Sequence, residues 1–140
     1  MKRLAADMHI HTVLSPCASR ETTPPAIVRE AARRGLAVIA LCDHNTAGNV
    51  RAVACAAAAI PNGPVVIAGI EITTVEEAHV LGWFGTPQDA CAASGRFTLS
   101  ETVELIHRHG GLTLLEISAP SLDEIAKALG TVEGRRCAIA

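Results

Sequence analysis

Two six-residue runs, Ala37-Val38-Ile39-Ala40-Leu41-Cys42 and Val65-Val66-Ile67-Ala68-Gly69-Ile70, are uniformly apolar. Runs that short, without polar alternation, belong to strands buried on both faces, the texture of a parallel sheet clad in helices. The punctuation between them agrees. Leu4 to Thr12 alternates loosely and breaks at Ser15-Pro16-Cys17, a strand ending in a loop. Thr23-Pro24-Pro25 opens a helix that Gly35 stops after Arg34, and a second helix is expected over residues 47–59, closed by Pro61-Asn62-Gly63. Ala78 to Phe84 is a further strand. After a polar connection, Thr98-Leu99-Ser100-Glu101 is a capping box for a helix running to His109 and ending at Gly110-Gly111. Leu112 to Ile117 is a fifth strand, and Ser121-Leu122-Asp123-Glu124 is a second capping box for a short helix ending at Gly130. The order predicts an α/β fold with mostly parallel strands and helices outside, in one domain over residues 1–140.

A chain of 140 residues buries a core without a metal or disulfide to hold it together. With aromatics at 2% and no tyrosine, that core is built from Ala, Val, Ile and Leu. The net charge of −2, with signs interspersed, supplies neither a basic patch for nucleic acid nor a polybasic arm for a membrane. No apolar run reaches membrane-spanning length, and Met-Lys-Arg is followed by histidines where a signal peptide would stay apolar, so a cytoplasmic location is expected. Five cysteines without a CxxC pair exclude a zinc ribbon and argue against a disulfide framework.

The polar signals fall at strand ends, where α/β sheets and barrels collect their chemistry. His9 and His11 are two apart on the first strand and share a face. The second strand ends in Asp43-His44, the third in Glu71, and the fourth begins near His79. Imidazoles and a carboxylate gathered on one rim are the donor set of a Zn²⁺, Mn²⁺ or Fe²⁺ site, with His44 or His79 left for proton transfer. The alternatives are a backbone-bonded histidine pair, a salt-bridged or capping Glu71, and Asp43 as a turn residue or as the group that orients an imidazole. His107 and His109 sit at a helix C-terminus, where the helix dipole explains them. By spacing alone Cys17 is an inert loop cysteine.

The segments "DMHIHTVLSPCA", "VIALCDHNTAGN", "VIAGIEITTVEEAHVLGWF" and "ETVELIHRHGGL" resemble the PHP (polymerase and histidinol phosphatase) family of metal-dependent phosphoesterases in wording, order and spacing over nearly the first 112 residues. The resemblance implies a distorted (β/α) barrel with up to three metals, hydrolysing phosphate esters. It implies that His9, His11 and Glu71 hold one metal, that Glu71 bridges to a second held by His79, and that Cys17 and His44 belong to a third. The family's later histidine motif and terminal Asp-x-His are missing: no histidine follows His109, and Ser118 and Pro120 stand where Asp and His would be. The domain thus reads as internally shortened after about residue 111, a truncated barrel that keeps one full His₂Glu set, with Glu116 a replacement ligand to test. The expected activity is hydrolysis of a phosphate ester on a small metabolite or nucleotide. The alternative is an inactive metal- or ligand-binding regulatory subunit. Uncovered sheet edges lead us to expect a homo-oligomer.

Overall fold

The computed structural model describes residues 4–116 and 137–139. In chain order these form β1 (Ala6–Ile10), α1 (Pro24–Arg33), β2 (Val38–Leu41), α2 (Val50–Ala58), β3 (Val65–Thr73), β4 (His79–Phe84), α3 (Pro87–Ala92), α4 (Leu99–Arg108), β5 (Leu112–Glu116) and β6 (Cys137–Ile139). The strands lie side by side in that order in one sheet. The α/β class is as expected. The second capping box with its helix, and Ser118 and Pro120, lie outside the described residues.

The sheet is mixed, and this corrects the parallel reading at one strand. β1, β2 and β3 pair parallel, as do β5 and β6, but β4 runs antiparallel to both of its neighbours. The cause is the short link between β3 and β4: so few residues can close a hairpin but cannot carry a crossover. β3 also runs past Ile70 and Glu71 to Thr73, where Thr73 pairs with His79. The reversal has a functional result. Only because β4 points the other way does its first residue, His79, stand on the rim where β1, β2 and β3 end.

The helices follow their local signals, with two departures. α1 opens on prolines and closes at Gly35, whose φ of +69° suits glycine, with Leu36 N–H donating back to Ala31 O. The capping box of α4 is formed between Thr98 and Glu101. α3 was expected to be only a polar connection, yet Thr86 caps it by accepting from Asp89 N, with Pro87 in the first turn. α2 starts at Val50 rather than 47, because residues 45–49 are taken up by a loop bonded to the site: Asn45, at φ +56°, donates its N–H to Glu71 O, and its side-chain oxygen accepts from Thr73 N.

One apolar cluster joins residues of all four helices, among them Val28, Val53, Ala90 and Ile106, to Ile39, Leu41, Ile70, Ile72, Val80 and Leu115 of the sheet. A smaller cluster on the opposite face contains strand residues and Cys42: Ala40, Cys42 and Leu81, with Met8, Ile67, Trp83 and Leu114 against them. The sheet curls around this second cluster. Trp83 Nε1 of β4 donates to Met8 O of β1 at 3.1 Å, whereas flat strands ~4.8 Å apart would hold β1 and β4 ~14 Å from each other. Gly69, directly across from Trp83, leaves room for this indole: a Cβ there would come within 3.1 Å of Trp83 Cδ1 and 2.4 Å of Leu41 O.

Candidate metal centre

The pairing of β1 with β2 slips between Asp7 and Ile10. A slip of one residue exchanges the two faces of a strand. Across this stretch the faces exchange: Met8 packs in the inner cluster, while Ile10, two residues on, packs against the helix-side core. His9 and His11 are therefore both turned inward. His11 follows the strand end, where a loop begins rather than further ladder.

Opposite them on β3 stands Glu71, only 1% exposed. It shares the inner face with Leu81, its cross-strand partner. Its Oε2 lies 2.9 Å from His9 Nε2 and 3.1 Å from His11 Nε2, and these two nitrogens are 3.0 Å apart. Its other oxygen, Oε1, lies 2.5 Å from His79 Nδ1. His44, bridged to Glu71 along the backbone, has its Nδ1 3.7 Å from Oε2, stacks on His11 and meets the edge of His79. Four imidazoles thus surround one buried carboxylate. Burial pushes the Glu71 carboxyl up, but the hydrogen bond with His9 and the charges of His44, His9 and His79 outweigh it and leave the group below the usual carboxylate range. Burial holds His11 below the usual imidazole value, against the pull of Glu71.

Asp43, 2% exposed, does not face this cluster as a donor but sits behind it. Its Oδ1 accepts from Thr12 N and Ser15 Oγ, and its Oδ2 from Thr12 Oγ1, each at 2.6 Å. Thr12 Oγ1 in turn accepts from Asn49 Nδ2 and Leu14 N. Of the alternatives left open for Asp43, the orienting role fits this geometry. Thr12, Ser15 and Asn49 were not singled out from sequence. Hydroxyl residues beside a histidine pair were visible there, but their burial was not.

Among the described residues, three groups bring donor atoms within 4.8 Å of one another: His9 with His11 and Glu71, His44 with Glu71 and His79, and His11 with Cys17 and His44. His44 thus joins Glu71 and His79 in the second group, and His11 lies beside Cys17 and His44 in the third. Cys17 is exposed, and so stands at the cluster's outer side. His107 bonds Thr113 Oγ1 and His109 lies 3.6 Å from Asp89, away from the site, in keeping with their structural reading. Glu116 pairs through its backbone with His79; its side chain is outside the description.

The first group fits a divalent ion. Its donor atoms form a triangle with edges of 2.9, 3.0 and 3.1 Å, each about 1.7 Å from the centre, inside the ~2.0–2.2 Å of zinc bonds to N and O. Two imidazole nitrogens 3.0 Å apart also need a proton or a cation between them.

No protein-family model matches the chain, and no curated protein matches it. Solved structures do. A Bifidobacterium adolescentis protein assigned as a metal-dependent phosphoesterase superposes with a TM-score of 0.71 at 15% identity, over 98% of this chain and 77% of that one. An amidohydrolase from Chromobacterium violaceum, with bound sulfate and no metal, gives 0.72 at 17%, over 96% and 75%. The lesion-specific endonuclease EndoQ of Pyrococcus furiosus gives 0.60 at 18%, over 81% of this chain and 34% of its own. At such identities the likeness is one of fold, and it agrees with a PHP-like barrel. No helix among the described residues is long and apolar enough to cross a membrane.

Proposed function

We propose that this chain is a metal-dependent hydrolase of phosphate esters, acting on a small phosphorylated metabolite or a nucleotide end. The observation that carries the reading is the buried Glu71, whose two oxygens face different imidazoles, Oε2 toward His9 and His11 and Oε1 toward His79. His9, His11 and Glu71 would hold a first divalent ion, and Glu71, His79 and His44 a second. Such an ion supplies Lewis acidity toward a phosphoryl oxygen and a bound water acidified to a pKa of ~7. Support for the phosphate ester comes from the neighbours named as a phosphoesterase and an endonuclease.

The protein groups divide the remaining work. Glu71 spaces the two donor sets and supplies the negative charge that offsets a cation. Asp43 and its hydroxyl partners keep the loop after β1 in place. His44 is beyond hydrogen-bond distance from Glu71 at 3.7 Å, so with the first ion alone in place it is the imidazole left to pass a proton to the leaving oxygen.

A second reading, a member that binds metal or ligand without turnover, is favoured by one observation. No histidine follows His109, so the late donors of the resembling family have no counterpart in this chain. One experiment separates the two: elemental analysis of the purified protein, then phosphomonoester and phosphodiester hydrolysis with Mn²⁺ or Zn²⁺, in wild type and in a His9→Ala, His11→Ala variant. Hydrolysis lost in the variant supports the enzyme. Bound metal without hydrolysis supports the binding module, and protein that takes up no metal refutes the enzyme and reduces the second reading to a metal-free ligand binder.

A further inference from the structure

Ser15 occupies a position that the histidine cluster alone does not explain. Its side chain is buried, and its single hydroxyl is in reach of three groups: Asp43 Oδ1 at 2.6 Å, His11 Nδ1 at 3.0 Å and the backbone N–H of His44 at 3.1 Å. A serine hydroxyl has one hydrogen to give and two lone pairs to receive. The amide of His44 can only donate, so it takes one lone pair. The Asp43 carboxylate can only accept, and its other oxygen is already engaged by the Thr12 hydroxyl, whose own lone pairs are filled by Asn49 and Leu14. The serine hydrogen therefore goes to Asp43. What remains for His11 is the second lone pair of Ser15, and His11 can use it only as a donor, through Nδ1–H.

We propose that Ser15, oriented by Asp43, is a positioning residue that fixes His11 as its Nδ1–H tautomer and so turns the Nε2 lone pair toward His9 and Glu71 before any ion arrives. The arrangement is a carboxylate–hydroxyl–imidazole relay, a longer form of the carboxylate–histidine pair that orients metal-binding imidazoles. One backbone amide completes it, and that amide belongs to His44, so the same hydroxyl ties the loop after β1 to the end of β2. A consequence follows for ion count. With Nδ1 committed to Ser15, His11 has one lone pair. It cannot serve both the group with His9 and Glu71 and the group with Cys17 and His44.

The tautomer assignment needs no bound metal, although its purpose rests on the metal reading above, and the test keeps the two apart. Histidine ¹⁵N-labelled, metal-free protein is examined by long-range ¹H–¹⁵N correlation at a pH where imidazoles are neutral. The expected result is a pyrrole-type Nδ1 and a pyridine-type Nε2 for His11. An Nε2–H form, or a fast mixture of the two, in the wild type overturns the proposal without requiring any variant to fold. Ser15→Ala is expected to blur the two resonances toward a mixture and to weaken Co²⁺ binding, followed by its visible absorption, by 10–100-fold, with Ser15→Thr restoring both. Unchanged tautomer and unchanged Co²⁺ affinity in a folded Ser15→Ala protein would also overturn it. A fixed tautomer in wild type that binds no Co²⁺ would refute the metal reading alone.

Discussion

The most demanding claim made on the fold is that Asp43 is satisfied only by these donors in this arrangement, and substituting it with its own amide tests this. In Asp43→Asn the side-chain oxygen still accepts from Thr12 N and Ser15 Oγ, but an NH₂ group replaces Oδ2 in front of Thr12 Oγ1. That hydroxyl cannot accept from it, because Asn49 Nδ2 and Leu14 N already fill its lone pairs. Two donors would face each other in a site where both residues are almost fully buried. Losing a hydrogen bond to a charged group costs ~1.5–3 kcal/mol and stranding a buried donor ~1–3 kcal/mol, so a destabilisation of about 3–5 kcal/mol is expected. Thr12→Val removes the same bond from the other side and should cost ~2–3 kcal/mol. Because both single variants lose one shared bond, the double variant should be less damaged than their sum by ~1.5–3 kcal/mol. Urea unfolding followed by far-ultraviolet circular dichroism, with the slope on denaturant constant across the set, measures all four corners. An Asp43→Asn change within ~0.5 kcal/mol of wild type, or additivity within ~0.5 kcal/mol, would refute the donor count.

Three further outcomes follow from the same geometry. Gly69→Ala should unfold or severely destabilise the protein in thermal melts, since the new Cβ would sit 2.4 Å from Leu41 O, a backbone atom that cannot swing away. A melting temperature equal to wild type would contradict the packing of Trp83 over β3. Burial pushes the Cys42 thiol up to about 12, the Trp83 contact only partly opposing it, whereas Cys17, Cys55 and Cys91 are exposed; iodoacetamide at pH 8 followed by peptide mapping should mark those three and spare Cys42 until denaturant is added. The exposed Glu30 carboxyl is drawn down to about 2, first by hydrogen bonds from Arg33 and Arg34. Its folded value lies below its unfolded one, so its contribution to α1 is present above the usual carboxylate range and is lost as pH falls toward 2. A carboxyl ¹³C titration midpoint near 4.5 would show that the pair does not hold in solution.

What was legible in the sequence were features that repeat locally, and what was not were features set by partners far along the chain. The buried runs at 37–42 and 65–70, the prolines before α1 and the capping box of α4 each announce themselves within a few residues. The Thr86-Pro87 cap of α3 is equally local, but a helix of only six residues is too short to show a hydrophobic period. The reversal of β4 was inferable in principle from the short connection after β3, but only once β3 was known to continue through Glu71, a charged residue that looks like a strand end. For the site, His9, His11, His44, Glu71 and His79 could be picked out because each stands beside an apolar run. Thr12, Ser15 and Asn49 could not, because a threonine, a serine and an asparagine after a strand have the composition of any loop. Their role comes from Asp43, 31 residues beyond Thr12.

The position of Glu71 in the sheet explains why one carboxylate is shared rather than several being recruited. β3 has the β2 pair on one side and β4 on the other, and the curl that lets Trp83 reach Met8 brings β1 over the inner face. A carboxylate on that face of β3 is the one group with donors from β1 on one side and from β4 on the other, and its two oxygens divide accordingly. The backbone holds it from behind: Glu71 N–H donates to Asp43 O, and Glu71 O accepts from Asn45 N–H, so the residues flanking His44 clamp both sides of the peptide that carries the carboxylate. His44 is thereby placed by the same bonds that place Glu71. Movement at the end of β2 must move the imidazole and the carboxylate together, and the relay through Ser15 extends that constraint to His11. The donor set is consequently held by backbone pairing between strands and by the Ser15 relay rather than by the donors' contacts with one another, which is the condition for donor groups to keep their spacing whether or not a cation lies among them.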